Sequence, residues 1–131
     1  MKCYKVVRKG YKCGGGERMT SSFVSGSAQV EYEIGKLSTP PAWLAENGHG
    51  ILAYDTLAGA ARHTGTNLAV LECAVMGPQR ELPEFCYPAD LKYKQRSPSH
   101  FRRFPEGTVA FDGVIPMRIV PESEVRAALK L

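Results

Sequence analysis

Between Lys92 and Phe104 the chain reads Lys92-Tyr93-Lys94-Gln95-Arg96-Ser97-Pro98-Ser99-His100-Phe101-Arg102-Arg103-Phe104, five lysines and arginines and three aromatic rings with no acid among them. Guanidinium groups hold phosphate bidentately, ammonium groups hold it as point charges, and rings stack on nucleobases. The combination suits a nucleotide-like anion. The same composition also describes a solvated basic loop whose rings pack on the core. Arg8, Lys9, Arg18 and Arg62 add cations elsewhere, and Phe85 and Tyr87 add rings. Tyr32 and Trp43 read as core residues. Phe85, Tyr93 and Phe101 fall in irregular stretches and are the better ligand rings. Backbone donors around Gly107-Thr108 would add anion contacts.

Catalytic constellations are sparser. Glu46 and Asp55 stand near His49, which sits between Gly48 and Gly50, so a general acid–base pair is conceivable there, as is a loose turn. His63 falls near a helix end, where an imidazolium favours the dipole. No serine lies in a Gly-x-Ser-x-Gly elbow, and Ser22, Ser25 and Ser27 have no evident base. Arg8, then Thr20-Ser21-Ser22, then Glu31 and Glu33 loosely resemble the arginine, serine-threonine-serine, glutamate order of ADP-ribosyltransferases. Both glutamates come far too early for that family, and they share the solvent face of a strand. Cys3, Cys13, Cys73 and Cys86 are scattered, none in a CxxC pair, and the three histidines are remote from them. That spacing argues against a zinc site. Cys3 and Cys73 lie in apolar runs and read as buried free thiols. No metal or cofactor is expected.

The elements that must position these residues follow from periodicity. Lys2 to Arg8 is a β-type run, and Lys9 to Arg18, with Gly14-Gly15-Gly16, is a hairpin tip or open loop. It is no phosphate loop, because Glu17-Arg18 stands where Lys-Ser/Thr is needed. A second strand is expected over 20–24. Alternation over 28–34 puts Ala28, Val30, Tyr32 and Ile34 on one face and predicts the clearest half-buried strand. Trp43-Leu44 suggests a helical turn, and Ile51 to Tyr54 a short buried strand. Asp55 or Thr56 would cap a helix over 57–63, ended by Gly65. Leu68 to Val75 reads as a central strand. Thr108 to Phe111 and Gly113 to Val120 form a strand broken near Asp112-Gly113. Pro121, at the first helical position, opens a C-terminal helix with acids in its first turn and cations later. The short links favour antiparallel pairing, although the stretch between Tyr54 and Leu68 is long enough for a parallel crossover. The fold class is α+β: a mostly antiparallel sheet of about six strands with two short helices, as one domain over 1–131.

At 131 residues the chain can bury a sizeable core unaided, and its net charge of +4 is too mild for a dedicated duplex-DNA binder. Met1-Lys2 runs straight into a strand pattern and no apolar run approaches a membrane span, so the expectation is a cytoplasmic protein without membrane partners.

Several runs, taken in order, carry a resemblance. They are Tyr4-Lys5-Val6-Val7-Arg8, Ser25 to Lys36, Pro41-Ala42-Trp43-Leu44-Ala45-Glu46-Asn47-Gly48, Ile51 to Leu57, Leu71-Glu72-Cys73, and Pro105-Glu106-Gly107-Thr108-Val109. Their collinear order, over most of the chain, resembles phage proteins of the Thoeris anti-defence type 1 family. No single motif is diagnostic, and the likeness is weakest between Met76 and Phe104.

The resemblance implies a sponge: a protein that binds cyclic ADP-ribose isomers in the infected bacterium and sequesters them unchanged, as a homodimer or hexamer. It also implies a second site for cyclic oligonucleotides in some members. Phe85 matches the family's pocket aromatic, Gln95 stands where an asparagine is expected, and Thr108 matches the threonine after the Pro-Glu-Gly turn. Asp112 falls where a basic residue is expected, which puts the second site in doubt. With the basic residues, the expected ligand set is Arg8, Phe85, Tyr93, Gln95, Arg102, Arg103 and Thr108. The alternatives are an ADP-ribosyltransferase-like or cyclic-nucleotide-cleaving enzyme, a protein inhibitor that docks on a host protein, and a nonspecific RNA binder.

Overall fold

The computed structural model describes residues 1–11, 13–22, 29–46, 48–82 and 104–130. Its elements run β1 (Lys2–Tyr11), β2 (Glu17–Ser21), β3 (Glu31–Tyr32), α1 (Ala42–Glu46), β4 (Ile51–Tyr54), α2 (Leu57–Ala61), β5 (Leu68–Met76), β6 (Thr108–Phe111), β7 (Gly113–Ile119) and α3 (Glu122–Leu129). The fold is α+β, with a mostly antiparallel sheet of seven strands and three helices among the described residues.

β1 organises the sheet. One of its edges is held by β5 from Lys2↔Ala74 to Arg8↔Leu68. The other edge is divided: β4 meets it at Tyr4↔Tyr54, and β2 takes it from Val7↔Ser21 to Tyr11↔Glu17. The sheet therefore forks at Lys5 and Val6. β4 goes on to pair β6, and β5 goes on to pair β7. Asp112 alone separates β6 from β7. The strand path β6–β4–β1–β5–β7 thus begins and ends on two strands joined through Asp112, with no ladder between β6 and β7 among the described residues. β4 and β5 both run antiparallel to β1, so they are parallel to each other, and the chain between them carries α2.

Alternation along the strands sorts two cores. Cys3, Val7, Ile51, Ala53, Leu71, Cys73, Val109, Phe111 and Val114 point one way, joined by Tyr32 from β3. Val6 and Val70 point the other way, against Ala60 and Ala61 of α2 and Val125 and Ala128 of α3. Gly50, ahead of β4, allows the first core to close: a Cβ there would stand 2.5 Å from the Phe111 carbonyl oxygen. Gly14, Gly15 and Gly16 all have φ near +90°, a run that only glycine adopts readily, and they turn the β1–β2 hairpin.

The break at Asp112, the strand over Ile51–Tyr54 and the α2 cap at Thr56 match the sequence expectations, the Thr56 hydroxyl accepting from the Gly59 N–H at 3.0 Å. Other expectations need correction. The strand expected over 28–34 is only Glu31–Tyr32, and Ile34 is exposed, because the chain turns at Gly35, whose N–H donates to the Pro116 carbonyl at 2.7 Å. The second strand is Glu17–Ser21, set by its register on β1; residues 23–28 lie outside the described set. α2 ends at Ala61 with Arg62 as cap, before Gly65. Pro121 is the N-cap of α3, not its first helical residue: its ψ of 145° is extended, and its carbonyl accepts from the N–H groups of Glu124 and Val125.

Candidate functional site

The first core contains an unusual set of polar groups. By alternation Lys5 belongs to the Cys3 and Val7 face, at the fork where β1 passes from β4 to β2. Its ammonium donates to the Leu52 carbonyl, filling the gap where β1 and β4 part. The same Nζ lies 5.8 Å from the centre of the Tyr32 ring, within cation–π range. Desolvation lowers the Lys5 pKa to about 8, against the opposing influence of Cys3 and Cys73. The residue as a whole keeps some exposed surface, but its amine sits among protein groups.

Cys3 and Cys73 are direct cross-strand partners and neither is exposed. The neighbouring Cys73 side chain favours ionisation of Cys3, and the Lys5 charge acts the same way, while Cys3 and burial push the Cys73 thiol up. Tyr32, 2% exposed, has its phenol pKa raised by burial, partly offset by a hydrogen bond with Ser21. His49 precedes β4 and is buried. Its Nδ1 lies 3.2 Å from the Gly50 carbonyl, which can only accept, so Nδ1 carries the proton. Nε2 is buried and meets no hydrogen-bonding partner. Burial, and secondarily the Lys5 charge, hold His49 below its ordinary pKa despite the Gly50 contact.

Of the ligand residues expected from the sequence, Arg8 and Thr108 are among the described residues, and both lie away from this cluster. Arg8 is exposed on β1 and donates through Nη2 to the Ser22 carbonyl at 2.7 Å. Thr108 opens β6 opposite Tyr54, and its hydroxyl donates to the Pro105 carbonyl at 2.6 Å. Tyr54 in turn faces Tyr4, four residues before Arg8. At strand spacings, Arg8 and Thr108 are on the order of 15 Å apart, so they do not share one contact site. The backbone donor expected at Thr108 is already engaged, its N–H bonding the Pro105 carbonyl at 3.1 Å. The Asp55 carboxylate crowds Gly107 besides, which disfavours an anion at that turn. Phe85, Tyr93, Gln95, Arg102 and Arg103 lie outside the described residues.

The ends of the stretch that carries them are placed. The Arg80 N–H donates to the Ala110 carbonyl at 2.8 Å, so the outgoing chain bridges β6. Phe104 and Pro105 return it directly into β6. Arg80 also pairs with Asp112 at 2.9 Å, which shows how an acid is accommodated where a basic residue was expected.

The other catalytic candidates are engaged structurally. Glu31 lies 3.5 Å from Arg18, and Glu33 lies 3.1 Å from Lys36. His63 stacks on Tyr54 with ring centres 5.1 Å apart and planes 6° from parallel. Trp43 is half-buried, not a core residue of Tyr32's kind. Among the described residues no group of three His, Cys, Asp or Glu could hold a metal ion, and no helix is long and apolar enough to cross a membrane. The sequence signal for the interior cluster was the period-2 phase that sets Lys5 between Cys3 and Val7; its charge argued the other way. No protein-family model, curated protein or solved structure matches this chain.

Proposed function

We propose that this protein binds and sequesters a cyclic ADP-ribose-type signalling nucleotide without degrading it, as a phage anti-defence sponge in the cytoplasm of an infected bacterium. The observation that carries the reading is the cationic, aromatic stretch between Lys92 and Phe104, set between two chain segments anchored on β6. Arginines would neutralise the pyrophosphate, and rings such as Phe85 and Tyr93 would stack on the base. The collinear family-like runs support the same class of ligand. Sequestration needs slow release rather than a general base, and assembly into a dimer or hexamer would enclose the ligand and slow its escape. Engagement of Glu31 by Arg18 and of Glu33 by Lys36 gives the transferase alternative no support.

A release assay tests the proposal. The pure protein is incubated with cyclic ADP-ribose isomers, freed of unbound ligand, heat-denatured, and the supernatant analysed by chromatography. Recovery of the intact cyclic nucleotide is the expected result. Linear or transferred product would make the chain an enzyme. Retention of nothing would sink the sponge and favour an inhibitor that docks on a host protein.

A further inference from the structure

We propose that Cys3 and Cys73 are a redox-active dithiol that closes into a cross-strand disulfide, stapling β1 to β5, when a peroxide or a small disulfide reaches it. The geometry is favourable before any reaction. Directly opposed residues of an antiparallel pair have Cα atoms about 4.5–5.5 Å apart, inside the range a disulfide spans. Cys3 and Cys73 are such a pair, both side chains lie in the first core, and neither has exposed surface. Cys73 Sγ lies 3.8 Å from the Leu71 carbonyl, an acceptor that keeps the proton on Cys73 and leaves Cys3 as the sulfur that ionises. Lys5, two residues along β1 on the same face, supplies the cation that a buried thiolate needs. Two directly opposed thiols with a lysine on the same face make a pair that can be oxidised together.

The chemistry balances. With peroxide, the Cys3 thiolate attacks one oxygen, the O–O bond breaks, and hydroxide leaves, giving a sulfenic acid. The Cys73 sulfur then displaces the second oxygen from Cys3 as the S–S bond forms. The two thiol protons end on the two oxygens as water. Two electrons pass from the sulfurs to the peroxide. Cys3 is the second residue of β1, next to the exposed Met1 and Lys2, so opening of that strand end would admit the oxidant. The closed bond would join strands whose ladder runs from Lys2 to Arg8 and would link positions far apart in sequence, so it constrains the unfolded chain strongly.

The test uses the full chain, reduced and then treated with hydrogen peroxide or diamide. Remaining thiols are blocked with N-ethylmaleimide in denaturant, and peptides are mapped by mass spectrometry. The expected product is a Cys3–Cys73 peptide pair lacking two hydrogens, reversible with dithiothreitol, with a thermal midpoint raised by at least about 5 °C. A Cys13→Ser/Cys86→Ser background should give the same cross-link. Lys5→Met should slow its formation at least about threefold. Blocked, unlinked Cys3 and Cys73 under conditions that oxidise the exposed Cys13 would overturn the proposal. So would an oxygen-bridged Lys5–cysteine adduct, or a cross-link that leads only through Cys13 or Cys86.

Discussion

The two faces of β1 and β5 are made by alternate residues of the same strands, yet they solve burial differently. The outer face meets α2 and α3 through small aliphatic groups, Val6, Val70, Ala60, Ala61, Val125 and Ala128. Its charges stay at the rim, where Arg118 bridges Glu72 and Glu124. The inner face holds the large side chains, Tyr32, Phe111 and Leu71, and also takes in the Lys5 amine, two thiols and the His49 ring. Two of these polar groups find a backbone acceptor inside. The fork beside Lys5 frees the Leu52 carbonyl, and the turn at Gly50 offers its own to His49. The difference predicts that the outer face responds chiefly to packing, with a weak acid response at its rim, and the inner face to packing and pH.

The sharpest contrast is in packing. Phe111→Ala should cost about 3–5 kcal/mol, because a fully buried ring among the large side chains of this core leaves a cavity behind. Val125→Ala, on the short helix α3, should cost only about 1–2 kcal/mol. Urea denaturation of both variants measures this, and equal losses would break the contrast.

Next comes Lys5. Its folded-state pKa is depressed to about 8 from 10.5, so between those values the unfolded chain holds a proton that the folded chain has released. Stability therefore rises with pH across that window, on the order of 3 kcal/mol if the shift is fully expressed. Lys5→Met should remove most of the rise. Ionisation of Cys3 acts in the same direction, whereas Cys73 and Tyr32, both with raised pKa, act against it above about pH 9 and pH 10 respectively. Denaturation curves of wild type and variant between pH 8 and 10 isolate the lysine, and parallel profiles would refute its assignment.

His49 gives a smaller effect in acid. Its folded pKa lies below 6.5, so the unfolded chain takes up the proton first and stability declines as pH falls below that value. His49→Phe should flatten this decline, whatever it does to stability at pH 7. An unchanged acid limb would place the imidazole in contact with water.

Smallest of all should be Glu72→Gln. Arg118 holds the Glu72 carboxyl below its ordinary pKa, so the pair stabilises the fold above that range and is lost in acid. Arg118 is exposed enough for salt to screen the pair. The variant should shift the denaturation midpoint less than any inner-face change, and less still at high salt.

Much of this architecture was legible in the sequence because it is local. The alternation of Leu71 and Cys73, the cap at Thr56 and the break at Asp112-Gly113 need no distant partner. The shortness of β3 does, because the turn at Gly35 is fixed by Pro116, far along the chain. The placement of Lys5 needs more still. Period-2 phase aims it inward with Cys3 and Val7, but only the division of one β1 edge between β4 and β2 supplies the carbonyl that lets an amine stay there. The binding residues divide the same way. Arg8 and Thr108 could be named from sequence but not measured against each other, since their separation is set by strand order. Phe85, Tyr93, Gln95, Arg102 and Arg103 rest on composition and resemblance.

Under the proposed function the inner face takes no part in ligand binding, which falls to the stretch whose ends are anchored on β6. Calorimetric titration of a cyclic ADP-ribose isomer into wild type, the Arg102→Glu/Arg103→Glu double variant and Lys5→Met tests that division directly. The account predicts at least about a tenfold loss of affinity in the double variant with its thermal midpoint unchanged, and wild-type affinity in Lys5→Met. Undiminished binding by the double variant, or binding lost in a folded Lys5→Met, would contradict it.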